Sequence, residues 1–172
     1  SNAPFLCKWS NAWLGDGYYF WDTFIENAHW RGKMRHGTSN IICKAECDFS
    51  SDLCFDLVGD TEHMQDFDQI IQFLKSKKLV NEETTVSRVI NVLRTKIPDF
   101  NFQAIRVHGI KSISDYKEEY KKYRHSLIFE VSKPQYLDYK PAIQLCLFKK
   151  TSLNLRNLKI EFPDEYNPDF IV

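Results

Sequence analysis

Apolar residues recur along this chain with two periods, and the change from one to the other marks its elements. The aromatic run Tyr18, Tyr19, Phe20 and Trp21 follows Gly15-Asp16-Gly17, so a tight turn there delivers the end of an aromatic strand at close backbone approach. After Asp22 or Thr23, either a good N-cap, the residues Phe24, Ile25, Ala28 and His29 fall at helical spacing, leaving Glu26, Asn27 and Trp30 to line a neighbouring surface. Cys43, Ala45 and Cys47 alternate with Lys44 and Glu46, which predicts a strand over 40–48 with both thiols facing inward. A second strand is predicted over 53–57 with Leu53, Phe55 and Leu57 on one buried face, stopped by Gly59 and Asp60.

The helical period then takes over. A helix capped by Asp60 or Thr61 runs to about Lys78 with Met64, Phe67, Ile70, Ile71 and Leu74 as its stripe. Another starts after Asn81 and carries Val86, Val89, Ile90 and Leu93 as far as about Lys96, where Pro98 ends it. Strand patterns return over 102–107, 126–131, 143–148 and 155–162. Between the first two lies a lysine-rich loop or short helix over 114–124, with Tyr116, Tyr120 and Tyr123 at helical spacing. Pro134, Tyr136, Tyr139 and Pro141 form a loop directly before Ile143. Together these elements predict one α+β domain over 4–172, with peripheral helices and a helical insertion at about 60–97.

Composition narrows the class without naming a function. The 172 residues are 43% hydrophobic and 15% aromatic, ample for one domain with a real core. Lys and Arg balance Asp and Glu at 23 each, so no overall field favours nucleic acid or an anionic membrane. The runs Lys75, Lys77, Lys78 and Lys121, Lys122, Arg124 read as solvated faces. The five cysteines form no CxxC pair, which argues against a disulfide framework. His36, Cys43 and Cys47 lack the two-to-four-residue ligand pairing of a structural zinc site, so no metal is expected. Ser1 to Ala3 read as an expression scar, and no signal segment or long apolar run follows, so the expected setting is soluble and cytoplasmic, with no membrane partner.

The candidate chemistry lies in the segment from Trp13 to Trp30. By spacing alone, an aromatic cluster after a Gly-x-Gly turn is either core packing or a box for a flat ligand. The segment WLGDGYYFWDTFIENAHW resembles the signature of the ADP-ribosyltransferase superfamily, in particular its poly(ADP-ribose) polymerase-like branch. There a Gly-x-Gly-aromatic-Tyr-Phe strand leads into a helix ending in a second aromatic. The resemblance implies an α+β fold with the split, mixed β-sheet core of the ADP-ribosyltransferase type and peripheral helices, and NAD as co-substrate. It places Tyr19 where the family stacks a tyrosine on the nicotinamide ring, Trp30 at the second aromatic, and Asn27 where the family has a small hydroxyl residue. Gly15 and Gly17 complete the cofactor-binding set.

A weaker correspondence covers AIQLCLFKKTSLNLRNLKIEF, where a loop precedes a late strand and Gln144 stands in place of the family's catalytic glutamate. Glutamine can hydrogen-bond a ribose hydroxyl but carries no charge to stabilise a cationic transition state. On the resemblance, Tyr19 and Gln144 are thus the catalytic candidates, and mono-ADP-ribosyl transfer to an unknown acceptor, as in a toxin or defence effector, is expected rather than chain elongation. The family's His-Gly-Thr strand is expected upstream of Pro4, which makes the chain a fragment or a degenerate relative, since His36-Gly37-Thr38 follows the aromatic strand instead of preceding it. The competing reading is a non-catalytic module of the same fold that binds a nucleotide or a protein partner. A third, an RNA-modifying enzyme on that fold, would need a basic groove that the neutral composition does not advertise.

Overall fold

The computed structural model describes residues 4–109, 125–167 and 169, so the tyrosines and basic residues of 114–124 lie outside the described residues. Eight strands and three α-helices are present among them: β1 (Tyr18–Trp21), α1 (Ile25–His36), β2 (Ile42–Glu46), β3 (Cys54–Asp56), α2 (Thr61–Ser76), α3 (Val86–Lys96), β4 (Ala104–His108), β5 (Ser126–Ile128), β6 (Tyr136–Asp138), β7 (Ile143–Leu147) and β8 (Arg156–Phe162). The class is α+β, with a four-stranded mixed sheet in the order β1-β7-β4-β3 and two two-stranded pairs, β2-β8 and β5-β6. The chain divides into two compact units, one of Ser1–Phe20, Cys47–Val107 and Leu145–Leu155, the other of Trp21–Glu46, His108–Gln144 and Arg156–Val172.

The first unit is built on strand alternation. Along β3, β4 and β7, Phe55, Ile105 and Cys146 join one buried cluster, and their neighbours Cys54, Ala104, Leu145 and Leu147 join another. Successive side chains of a strand point to opposite faces, so the sheet is covered on both. The first cluster takes Leu74 from α2 and Val89, Ile90 and Leu93 from α3, the stripes expected from the helical period. Sequence had given β3 one buried face; Cys54, Phe55 and Asp56 are all buried, as in a strand paired parallel to β4 inside a covered sheet.

Helix starts follow the local chemistry. Asp60 caps α2, its carboxylate accepting from the amides of Glu62 and His63 at 3.0 and 3.1 Å. The helix expected after Asn81 begins four residues later, capped by Thr85, because the Asn81 side chain accepts from the Glu83 amide and the Thr84 hydroxyl and so holds a turn.

The second unit departs further from expectation. Its α1 follows Phe24, which makes no side-chain capping bond; Thr23, an expected cap, has φ 64°, a left-handed conformation strained for a β-branched residue. Asn27 and Trp30 are its buried residues, whereas Ile25, from the expected apolar stripe, is 38% exposed. The expected inward thiols are also corrected: Ile42 is buried and Cys43 exposed, since pairing of β2 with β8 shifts register on both sides of Cys43 and Lys44. The segment read as a loop before Ile143 contains a strand, β6, paired antiparallel with β5 so that Leu127 faces Leu137 and Ile128 faces Tyr136. Among the described residues, no helix is long and apolar enough to cross a membrane.

Candidate functional site

In the first unit, Gly15, Gly17 and Tyr19 form one small assembly. Gly15 has φ 82°, the left-handed turn conformation that glycine adopts without strain. Gly17 exchanges backbone bonds with Cys7 at 2.9 and 3.2 Å, and a Cβ on it would lie 2.4 Å from Cys146 Sγ and 2.8 Å from the Leu147 carbonyl oxygen. The glycine is thus required by packing. The Tyr19 hydroxyl donates to the Gly15 carbonyl at 2.8 Å and accepts from the Leu14 amide at 3.0 Å, and its ring packs against the buried cluster of Phe55 and Leu93. Tyr19, expected to stack on a nicotinamide ring, closes its own turn here.

Burial decides the acid–base character of this assembly. It drives the Tyr19 phenol well above its ordinary range, and pushes the Cys146 thiol up to about 12 despite the nearby Arg94 guanidinium. Neither group is a nucleophile or base near neutrality.

The second unit holds the other expected residues, with polar groups in a different state. Asn27 is 0% exposed on the first turn of α1; its Nδ2 donates to the Pro141 carbonyl at 3.2 Å, while its Oδ1 has no hydrogen-bond partner. The amide orientation is fixed by that carbonyl, which can only accept. A buried acceptor left without a donor costs about 1–3 kcal/mol, so a native fold that keeps one calls for an explanation. Trp30, one turn later, is 4% exposed and sits edge-to-face with Trp21, ring centroids 6.3 Å apart.

Charge gathers on the same turn. Glu26 pairs with Lys140, and that hydrogen bond holds the Glu26 carboxyl below its ordinary range, with His125 adding to the effect. The His125 carbonyl accepts from the Tyr139 amide at 2.9 Å and its ring lies edge-on to Tyr139, centroids 5.6 Å apart. Its Nε2 is buried without a partner. Gln144 is half-buried at the start of β7, next to Ile143, whose carbonyl accepts from the Asp22 amide at 2.9 Å.

Of the residues singled out by sequence, the structure thus gathers Gly15, Gly17 and Tyr19 in one unit and places Asn27, Trp30 and Gln144 in the other. Glu26, His125 and Lys140 were missed as functional candidates. No motif spacing links them, and only the pairing of α1 with the segment through Tyr139, Lys140 and Pro141 reveals the group. Among the described residues no three His, Cys, Asp or Glu side chains are grouped to hold a metal ion. No protein-family model, curated protein or solved structure matches the chain.

Proposed function

We propose that this domain is an NAD-dependent mono-ADP-ribosyltransferase of the poly(ADP-ribose) polymerase-like branch, and that Asn27 receives the nicotinamide carboxamide. The observation that supports the reading is the buried Asn27 Oδ1, an acceptor oriented by Pro141 and lacking a donor. A primary carboxamide offers the N–H that such an atom needs. The scissile bond is the nicotinamide glycosidic bond, and the chain's contribution is to hold the nicotinamide while positive charge develops on the ribose. Gln144 adds a neutral hydrogen bond only, consistent with transfer of a single ADP-ribose group rather than polymer growth.

A second reading, a non-catalytic nucleotide- or protein-binding module, draws on another observation. Tyr19 is engaged with Gly15, Leu14 and its core, and Trp30 is buried beside Trp21, so the two rings expected to stack on nicotinamide serve packing. The two readings part in one experiment. Calorimetric titration with NAD, followed by assay of nicotinamide release, should show weak binding lost in Asn27→Leu and slow release by the unaltered chain. Binding without release would favour the module, and absence of NAD binding would refute the transferase.

A further inference from the structure

We infer that His125 is the base that takes the proton from the ADP-ribose acceptor, and that the acceptor therefore carries a proton on its attacking atom, as water or an alcohol does and a carboxylate does not. The inference rests on the transferase reading above. Attack on the ribose by an acceptor that carries a proton on its attacking atom requires that proton to leave, and a carboxylate carries none. Imidazole is the side chain best suited to receive a proton near neutrality.

Three features of the second unit point to His125. Its backbone is held by the Tyr139 amide, which donates to the His125 carbonyl at 2.9 Å, and its ring lies edge-on to Tyr139 at 5.6 Å. Its Nε2 is a buried atom with no protein partner, so the fold leaves its hydrogen-bonding capacity unused. The third is connection to the proposed carboxamide site. Asn27 is bonded to Pro141, two residues beyond Tyr139, and Glu26, adjacent to Asn27, is within the electrostatic reach of His125. Asn27 Oδ1, an acceptor for the carboxamide, and His125 Nε2, a proton acceptor, are thus both tied to the three-residue segment Tyr139 to Pro141.

Other groups are excluded by their chemistry. Gln144 cannot accept a proton, and burial keeps Tyr19 and Cys146 in their neutral forms. Glu26 already accepts from Lys140. In the step itself an oxygen lone pair of the acceptor forms the bond to ribose C1′. The C1′–N bond breaks with its electron pair passing to the nicotinamide nitrogen, and the acceptor's proton moves to Nε2. Nothing is oxidised or reduced.

The test uses the full chain, with NAD as substrate and water or methanol as acceptor. His125→Gln should lower nicotinamide release about a hundredfold, as expected for loss of a general base, with NAD binding unchanged by saturation-transfer NMR. Added imidazole should restore release to His125→Gly. A second readout needs no turnover: in protein labelled with ¹⁵N-histidine, NAD should shift the His125 Nε2 resonance and leave those of His36 and His63 in place. Release by His125→Gln close to that of the unaltered chain, or an unmoved His125 resonance in NAD-bound protein, would overturn the inference. Binding without release to either acceptor would overturn it while leaving the carboxamide site intact. No NAD binding at all would overturn both.

Discussion

The two units treat their buried polar groups in opposite ways. In the first, the one buried charge among the described residues, Asp56, is matched: Arg106 lies 3.1 Å from its carboxylate, and the Val58 amide donates to it at 2.9 Å. The Tyr19 hydroxyl is likewise used as both donor and acceptor. In the second, Asn27 Oδ1 and His125 Nε2 are buried without partners. Exposed apolar side chains do not follow this division: Phe5 and Trp9 in the first unit are exposed, as are Leu127 and Val131 in the second. A fold is consistent across its levels except where function intervenes. By that rule the first unit is scaffold, and the proposed carboxamide site falls in the second.

Substitutions can break the comparison. The largest loss is expected for Phe55→Ala, which empties the centre of the first unit's core and should cost about 3–5 kcal/mol in denaturant unfolding; a small loss would mean the cluster is not the core. Gly17→Ala comes next, at about 1–3 kcal/mol, since its Cβ would meet Cys146 Sγ and a backbone carbonyl. In contrast, Asn27→Leu in the second unit should change stability by no more than about 1 kcal/mol, because it removes an unsatisfied buried acceptor together with one hydrogen bond. It should nevertheless abolish nicotinamide binding. A large destabilisation by Asn27→Leu would mark Asn27 as a structural residue.

Smaller effects sharpen the contrast. A thiol reagent applied to native protein at pH 8 should modify exposed Cys43 and leave buried Cys54 and Cys146 intact until the first unit unfolds, as mass mapping would show. The smallest effect is pH-dependent. The folded Glu26 carboxyl lies below its ordinary value of 4.5, so its pairing with Lys140 stabilises the protein above that pH and is lost as pH falls through the folded value. Both partners are partly exposed, which limits the contribution to about 0.5 kcal/mol. Glu26→Gln should remove that increment from the acid limb of the unfolding curve and leave neutral-pH stability lower by the same amount.

The first unit was the legible one. The stripes of α2 and α3, the Asp60 cap and the aromatic strand after Gly17 all rest on short-range rules, and each appears where the residues require it. The second unit was less so, for identifiable reasons. Register shifts in β2 reversed the face inferred for Cys43, and strained Thr23 displaced the cap of α1. The proline-bounded segment hid β6, whose three residues are too few to show a period. Of the site, Asn27 was singled out by resemblance alone. Lys140 joins it through Glu26 across 114 residues of sequence, and His125 joins through Tyr139, beside Lys140, which no local pattern encodes.

Saturation-transfer NMR with nicotinamide and nicotinate tests most directly whether Asn27 Oδ1 receives an N–H donor from a carboxamide. Nicotinate presents only acceptors, so transfer to nicotinamide and none to nicotinate is expected, with loss of the nicotinamide signal in Asn27→Leu while the fold stays intact. Equal signals from the two ligands, or a nicotinamide signal that survives Asn27→Leu, would contradict it.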